Sequence, residues 1–171
     1  YIPIGETYDR LCQSTQRVSG SIDDDGFYRT DQVSWINLHH DIQMPANENL
    51  YWGAKTIYGY DSFISSNQIE FNRLTGNTHS YVMRVYTLGN DNRMGLDFLY
   101  GVKYFLGNDA KKGDTTSDNY AGYGFTKVDE IDGVNILENK YDPGLGFGYD
   151  KYMKESEFGK LSRLAREPSL L

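Results

Sequence analysis

The run Leu96-Asp97-Phe98-Leu99-Tyr100-Gly101-Val102-Lys103-Tyr104-Phe105-Leu106 holds the densest set of large apolar side chains in the sequence and constrains the fold most. One glycine divides it into two patterns. Ahead of Gly101, Met94, Phe98, Leu99 and Tyr100 fall near helical spacing, and Asn90, Asp91 and Asn92 offer helix caps. Gly101 suits the left-handed residue that ends a helix. Beyond it, Val102 to Leu106 reads as a buried strand, closed by a turn at Gly107-Asn108. A short helix feeding directly into a core strand is therefore the expected centre of the fold.

The rest of the chain supplies elements of both kinds. Residues 6–18 read as an amphipathic helix with Tyr8, Leu11, Cys12, Thr15 and Val18 on one face. Asp23-Asp24-Asp25-Gly26 is a solvated acidic turn; its spacing misses the twelve-residue calcium loop. Phe27-Tyr28-Arg29-Thr30 is the first expected strand, and residues 31–50 read as loop. Residues 50–53 and 56–61 suggest extended chain broken at Gly53 and Gly59. A helix should start at Ser65-Ser66-Asn67, with Ile69, Phe71 (or Asn72) and Leu74 marking its apolar side, and stop at Gly76-Asn77. Residues 81–86 fit strand and helix equally, and 107–123 read as a polar loop. Phe125–Ile131 and Val134–Asn139 flank Asp132-Gly133, the clearest hairpin signal. Asp142-Pro143-Gly144 turns the chain into a further short strand, Leu145–Tyr149. Phe158, Leu161, Leu164 and Ala165 form a last helical stripe ended by Pro168. This order argues for an α+β fold, a mixed β-sheet packed with several short helices, within one domain over residues 1–171.

Composition narrows the function classes. A chain of 171 residues can bury roughly 70% of its unfolded surface. The net charge of −7 argues against a nucleic-acid partner, which requires a basic face. No run approaches the roughly 20 apolar residues of a membrane span, and none reads as a signal peptide. The chain is compatible with being a piece of a longer product. Its lone cysteine, Cys12, excludes an internal disulfide and reads as a small buried side chain. The 15 tyrosines suit half-buried strands, and they suit sugar binding, where rings stack on apolar sugar faces.

Little in the sequence points to catalysis. There is no Gly-x-Ser-x-Gly elbow and no phosphate loop: Gly144-Leu145-Gly146-Phe147-Gly148 lacks the following Lys-Ser/Thr. His39, His40 and His79 lack metal-ligand spacing, so neither metal nor cofactor is expected. The enzyme reading left is a pair of carboxylates about 5–9 Å apart, as glycoside hydrolysis needs. Its candidates are Asp61, Asp97, Glu130 and Glu138. For binding, Tyr58, Tyr60 and Asp61 are candidates for an exposed groove, because glycines beside two rings let another group approach. Arg29 and Lys103 lie inside strand patterns, as outward solvated residues or phosphate ligands. Asn139 ends a strand, where a backbone turn bond competes with sugar contact.

Four segments, taken in order, carry a resemblance: Phe27-Tyr28-Arg29, Tyr58-Gly59-Tyr60-Asp61-Ser62, Leu99-Tyr100-Gly101-Val102-Lys103-Tyr104, and Val134-Asn135-Ile136-Leu137-Glu138-Asn139. With Gly146-Phe147 and the stretch from Phe158 to Leu164, the chain resembles the large extracytoplasmic region of a YfhO-family bacterial membrane protein over nearly residues 25–165. Ile136-Leu137 stands where the family commonly has Val-Tyr, and Pro143 lies earlier than the usual proline. The resemblance implies a polytopic glycosyltransferase of the GT-C kind. Such an enzyme glycosylates cell-wall polymers such as lipoteichoic acid from a polyprenyl-phosphate-linked sugar on the outer membrane face. Its catalytic acid would lie in a loop between membrane helices outside this chain. This domain would then carry no catalytic residue. It would support or recognise the acceptor, with the membrane-spanning remainder of its own chain, a cell-wall glycan or a lipid-linked sugar as partner. The competing expectation is a freestanding carbohydrate-binding or glycan-hydrolysing domain.

Overall fold

A computed structural model describes residues 15–32, 50, 52–60, 63–77, 86–90, 93–107, 120, 124–141 and 144–171. Its centre is a four-stranded mixed sheet in the order β1-β4-β6-β5, from β1 (Arg29–Gln32), β4 (Val102–Gly107), β5 (Phe125–Ile131) and β6 (Val134–Asn139). β1 runs parallel to β4, with Asp31 opposite Phe105, while β6 is antiparallel to both β4 and β5. A separate antiparallel pair joins β2 (Tyr58–Tyr60) to β3 (Tyr86–Leu88). Among the described residues five short helices accompany the strands: α1 (Thr15–Gly20), α2 (Ser66–Thr75), α3 (Met94–Leu99), α4 (Glu155–Phe158) and α5 (Arg163–Arg166). The architecture is α+β, as the element order implies.

Both faces of the central strands are covered, which explains why Val102–Leu106 is apolar at every position but Lys103 and does not alternate. Successive side chains point to opposite faces. Tyr104, Leu106, Val134 and Ile136 meet Val18 of α1 and Tyr28 on one face. Phe105 and Leu137 meet Phe125 and Tyr120 on the other, with Met94 of α3 packed alongside. Tyr120 stacks on Phe105, centroids 3.7 Å apart, and Phe125 meets both rings edge-on.

The helix-to-strand junction forms where expected. α3 ends with the Gly101 N–H donating to Phe98 O at 3.0 Å, and Gly101 takes φ 66°. A side chain there would also collide with the chain crossing it: a Cβ would lie 2.7 Å from Gly144 O. The Asp132-Gly133 turn has positive φ at both residues, the twist that matches a two-residue hairpin. α2 stops at Gly76, φ 75°, as its sequence predicts.

Other expectations shift. β1 starts two residues later than expected and includes Asp31 and Gln32, assigned to loop because they are polar; here both are buried and hydrogen-bonded. Leu145–Tyr149 is not a strand. Glycines at 144, 146 and 148 strip one face of side chains, so pairing would bury little. The last helical stripe is two helices, broken after Gly159, where the Arg166 guanidinium donates to Gly159 O and Leu161 O. Leu164 is exposed, and Pro168 opens a 3-10 turn, Pro168–Leu170. The expected helix over residues 6–18 is described only from Thr15, and 81–86 only at Tyr86.

Candidate functional site

Two carboxylic acids meet beneath the sheet on the Phe105–Tyr120 face. Asp31 comes from the end of β1 and Asp97 from α3; they are 1% and 0% exposed. Asp31 accepts the N–H of Gln32 at 2.8 Å and that of Asn90 at 3.1 Å. Asp97 accepts the Asn90 Nδ2–H at 2.9 Å and the Tyr120 hydroxyl at 2.8 Å. The two carboxyls lie close enough to shift each other's titration. Burial pushes Asp31 well above the usual carboxylate range, and the Asp97 charge pushes the same way. Burial raises Asp97 as well, while its bonds from Asp31, Asn90 and Tyr120 hold it down. Burial thus favours the protonated form of both acids, and more strongly that of Asp31. Every oxygen of the pair is engaged, and neither residue faces solvent. Two acids shut away from solvent offer a glycan no access, which hydrolysis by a carboxylate pair requires.

Asp97 was a sequence candidate; Asp31, Asn90 and Tyr120 were not. Asn90 was expected as a cap, yet the residue before α3 is Arg93, and Asn90 turns its side chain inward to Asp97 instead. The available signal was an aspartate inside the most apolar run of the chain, which needs buried donors nearby.

On the opposite face, Lys103 is held between Asp24 at 2.7 Å and Glu138 at 3.6 Å. Asp24 also accepts the Tyr104 hydroxyl at 2.8 Å. Hydrogen bonds from Lys103, Gly26 and Tyr104 lower the Asp24 carboxyl to about 2, and the Asp24 bond holds Lys103 above its usual range. Burial, helped by Asp24, raises the Tyr104 phenol to about 12. Lys103 is thus committed to an ion pair. Asn139 donates to Val102 O at 3.4 Å and accepts the Tyr141 N–H at 3.0 Å, so it makes the turn bond. Arg29 donates from Nη1 to Tyr100 O at 2.6 Å, and its guanidinium lies over the Phe27 ring. β2 brings Tyr58 and Tyr60 to one edge of its two-stranded sheet; their side chains and Asp61 lie outside the described residues. Glu130 pairs with Lys127 on exposed β5.

A second feature is open to solvent. The glycine-rich stretch from Gly144 leads through Phe147, 41% exposed, and Tyr149, 59%, to Tyr152, 91%. Phe147 anchors it, 5.3 Å from Phe98 of α3, with Tyr149 edge-on at 5.1 Å. The Tyr149 hydroxyl donates to Leu170 O, tying the stretch to the C-terminal turn. That turn is fixed in turn to α3: Glu167 accepts Arg93 Nε at 2.6 Å and the Gly95 N–H at 2.9 Å. Among the described residues no group of three His, Cys, Asp or Glu side chains is placed to hold a metal ion. Nor is any helix among them long and apolar enough to cross a membrane.

The family model described as bacterial membrane protein YfhO matches residues 4–171. The chain belongs to the YfhO family. No curated protein and no solved structure matches it. Membership of YfhO associates the chain with a membrane protein, so the described part, which has no spanning helix, belongs with a membrane-associated role. In this YfhO chain the residues that carried the resemblance do structural work: Gly101 makes the junction, Arg29 binds across it, and Asn139 closes β6.

Proposed function

We propose that this chain is an outward-facing accessory part of a polytopic membrane glycosyltransferase of the GT-C kind. It supports or recognises the acceptor, a cell-wall polymer such as lipoteichoic acid, while the sugar is transferred from a polyprenyl-phosphate carrier by membrane segments of the same protein. The observation that carries this reading is the exposed aromatic stretch, Phe147, Tyr149 and Tyr152, held on α3 through Phe98. Aromatic rings fixed at a surface offer apolar faces to sugar rings. Glycines at 146 and 148 leave open space beside the backbone, so a chain-like ligand can lie along it.

Family membership supports the membrane setting. The buried acids support an accessory role over a hydrolytic one, since Asp31 and Asp97 hold each other out of solvent. The test is made in cells, with the intact membrane protein carrying Phe147→Ala and Tyr149→Ala. Each lost ring contact is worth about 1 kcal/mol, so affinity for the wall polymer, and with it the sugar added, should fall roughly 30-fold for the pair. Unchanged decoration, or sugar released from the polymer by this chain alone, would overturn the proposal.

A further inference from the structure

We infer that residues 159–170 form a strap that opens as one unit while the sheet stays folded, and that the closed strap holds the Tyr149 ring in place. The strap is a property of the fold and stands apart from what the aromatic stretch binds.

Little apolar burial secures this segment. Phe158, 9% exposed, is the last buried side chain before it, and none from residue 159 to residue 171 is buried. Neither α5 nor the 3-10 turn buries a residue, and Leu164 points into solvent. A segment that buries so little gains little from the hydrophobic effect, which places it at the low end of local stability.

Polar bonds hold the strap instead, and two adjacent residues make most of them. Arg166 donates to Leu74 O at 2.6 Å, in the last turn of α2. It also donates to Gly159 O at 2.8 Å and Leu161 O at 3.2 Å, which folds the strap onto itself. Its guanidinium carbon lies 5.8 Å from the centre of the Phe158 ring. Glu167 grips the start of α3, accepting Arg93 Nε at 2.6 Å and the Gly95 N–H at 2.9 Å. Residues 166 and 167 thus fasten one short segment to two different helices, so breaking either hold loosens the other. The Arg93–Glu167 pair is partly exposed on both sides, within reach of water and salt. Opening leaves the frame standing, because Arg93 Nη1 donates separately to Thr75 O at 2.7 Å and still joins α3 to α2. It does break the bond from the Tyr149 hydroxyl to Leu170 O, so the strap sets how firmly that ring is held beside Phe147.

Native-state hydrogen exchange of the chain, followed by NMR, tests this. The Gly95 N–H is the key reporter, since it lies outside the strap while its acceptor lies inside. It should exchange together with the strap amides of Ala165 and Leu170, at least about 100-fold faster than the amides of β4 and β6. Glu167→Gln keeps the shape, loses the charge and should speed all three roughly tenfold. Arg166→Met touches neither Gly95 nor Arg93, yet it should speed Gly95 by a similar factor and move the Tyr149 ring signals towards those of free tyrosine. Raising salt from about 0.05 to 0.5 M should speed the wild type severalfold and change Glu167→Gln little. Gly95 exchange that ignores Arg166→Met overturns the inference, because it makes the two holds independent. Gly95 exchanging at the rate of the β4 and β6 amides also overturns it. So does either variant speeding those sheet amides equally, which is global unfolding. Tyr149 ring signals that stay put in Arg166→Met overturn the link to that ring.

Discussion

Replacing Tyr120 by Phe isolates one bond of the buried acid pair. The ring stays stacked on Phe105, and only the hydroxyl that donates to Asp97 Oδ2 at 2.8 Å is removed. A hydrogen bond to a charged group contributes about 1.5–3 kcal/mol, and leaving a buried carboxylate oxygen bare falls in the same range. A loss of about 2 kcal/mol should lower the melting temperature by roughly 4–8 °C in a domain of this size. The pH dependence has a definite sign. Tyr120 opposes the burial that raises Asp97, so without it the folded-state value rises further. A carboxyl raised in the folded state contributes stability that is present below its unfolded value, about 4, and is lost as pH climbs towards the folded value. The deficit of Tyr120→Phe should therefore be small at pH 4 and larger at pH 7.5. Paired melts at both values check this, together with Tyr120→Phe in an Asp97→Asn background, where the loss should shrink to about 1 kcal/mol or less. Wild-type melting of Tyr120→Phe at both pH values, or a deficit that grows towards acid, would refute the role of the Tyr120 bond in holding Asp97 down.

Two further tests concern the junction and the outer ion pair. Gly101→Ala should cost more than about 2 kcal/mol, from the left-handed backbone penalty of roughly 1–2 kcal/mol plus displacement of the Gly144 carbonyl; chemical denaturation reads it, and a cost below 1 kcal/mol would mean the crossing is loose. Asp24 is held down to about 2 by Lys103, Gly26 and Tyr104, so its stabilisation is present above pH 4 and lost as pH falls towards 2. Asp24→Asn should melt below the wild type at pH 6 and approach it at pH 2, a convergence that acid-titrated melts would reveal.

What the sequence made legible is local. Gly101, Gly76 and the Asp132-Gly133 turn state their own conformations, because positive φ selects glycine with little regard to the rest of the chain. The strands β4 and β6 were legible because two-sided burial concentrates large apolar residues in them, with Lys103 alone interrupting Val102–Leu106 and Asn135 and Glu138 interrupting β6. The polar interior was not. Asp31 looks like loop, and its burial depends on donors from Gln32 and from Asn90, fifty-nine residues away. The same limit governed the candidate site. Lys103 and Arg29 read alike as basic residues in strands, and only tertiary neighbours separate them, one saturated by Asp24, the other bound to a carbonyl alone. The glycine alternation at 144–148 was read as a strand for its apolar partners, when the bare face it creates prevents pairing.

The acid pair and the aromatic stretch lie on the same element and divide its labour. α3 faces inward with Asp97, which through Asn90 and Asp31 fixes the helix to the end of β1, and outward with Phe98, on which Phe147 sits. Removing either acid leaves its buried hydrogen-bond partners unsatisfied and costs about 1–3 kcal/mol. The pair therefore makes the seat of Phe98 rigid without presenting a group to solvent. If that division holds, Asp31 and Asp97 substitutions act on ligand binding only through the fraction of chain that is folded. Phe147 and Tyr149 substitutions act on binding at unchanged or mildly lowered stability. A carboxylate variant that stayed folded and yet lost sugar binding would place the acids in the site itself and would undo the separation between scaffold and surface.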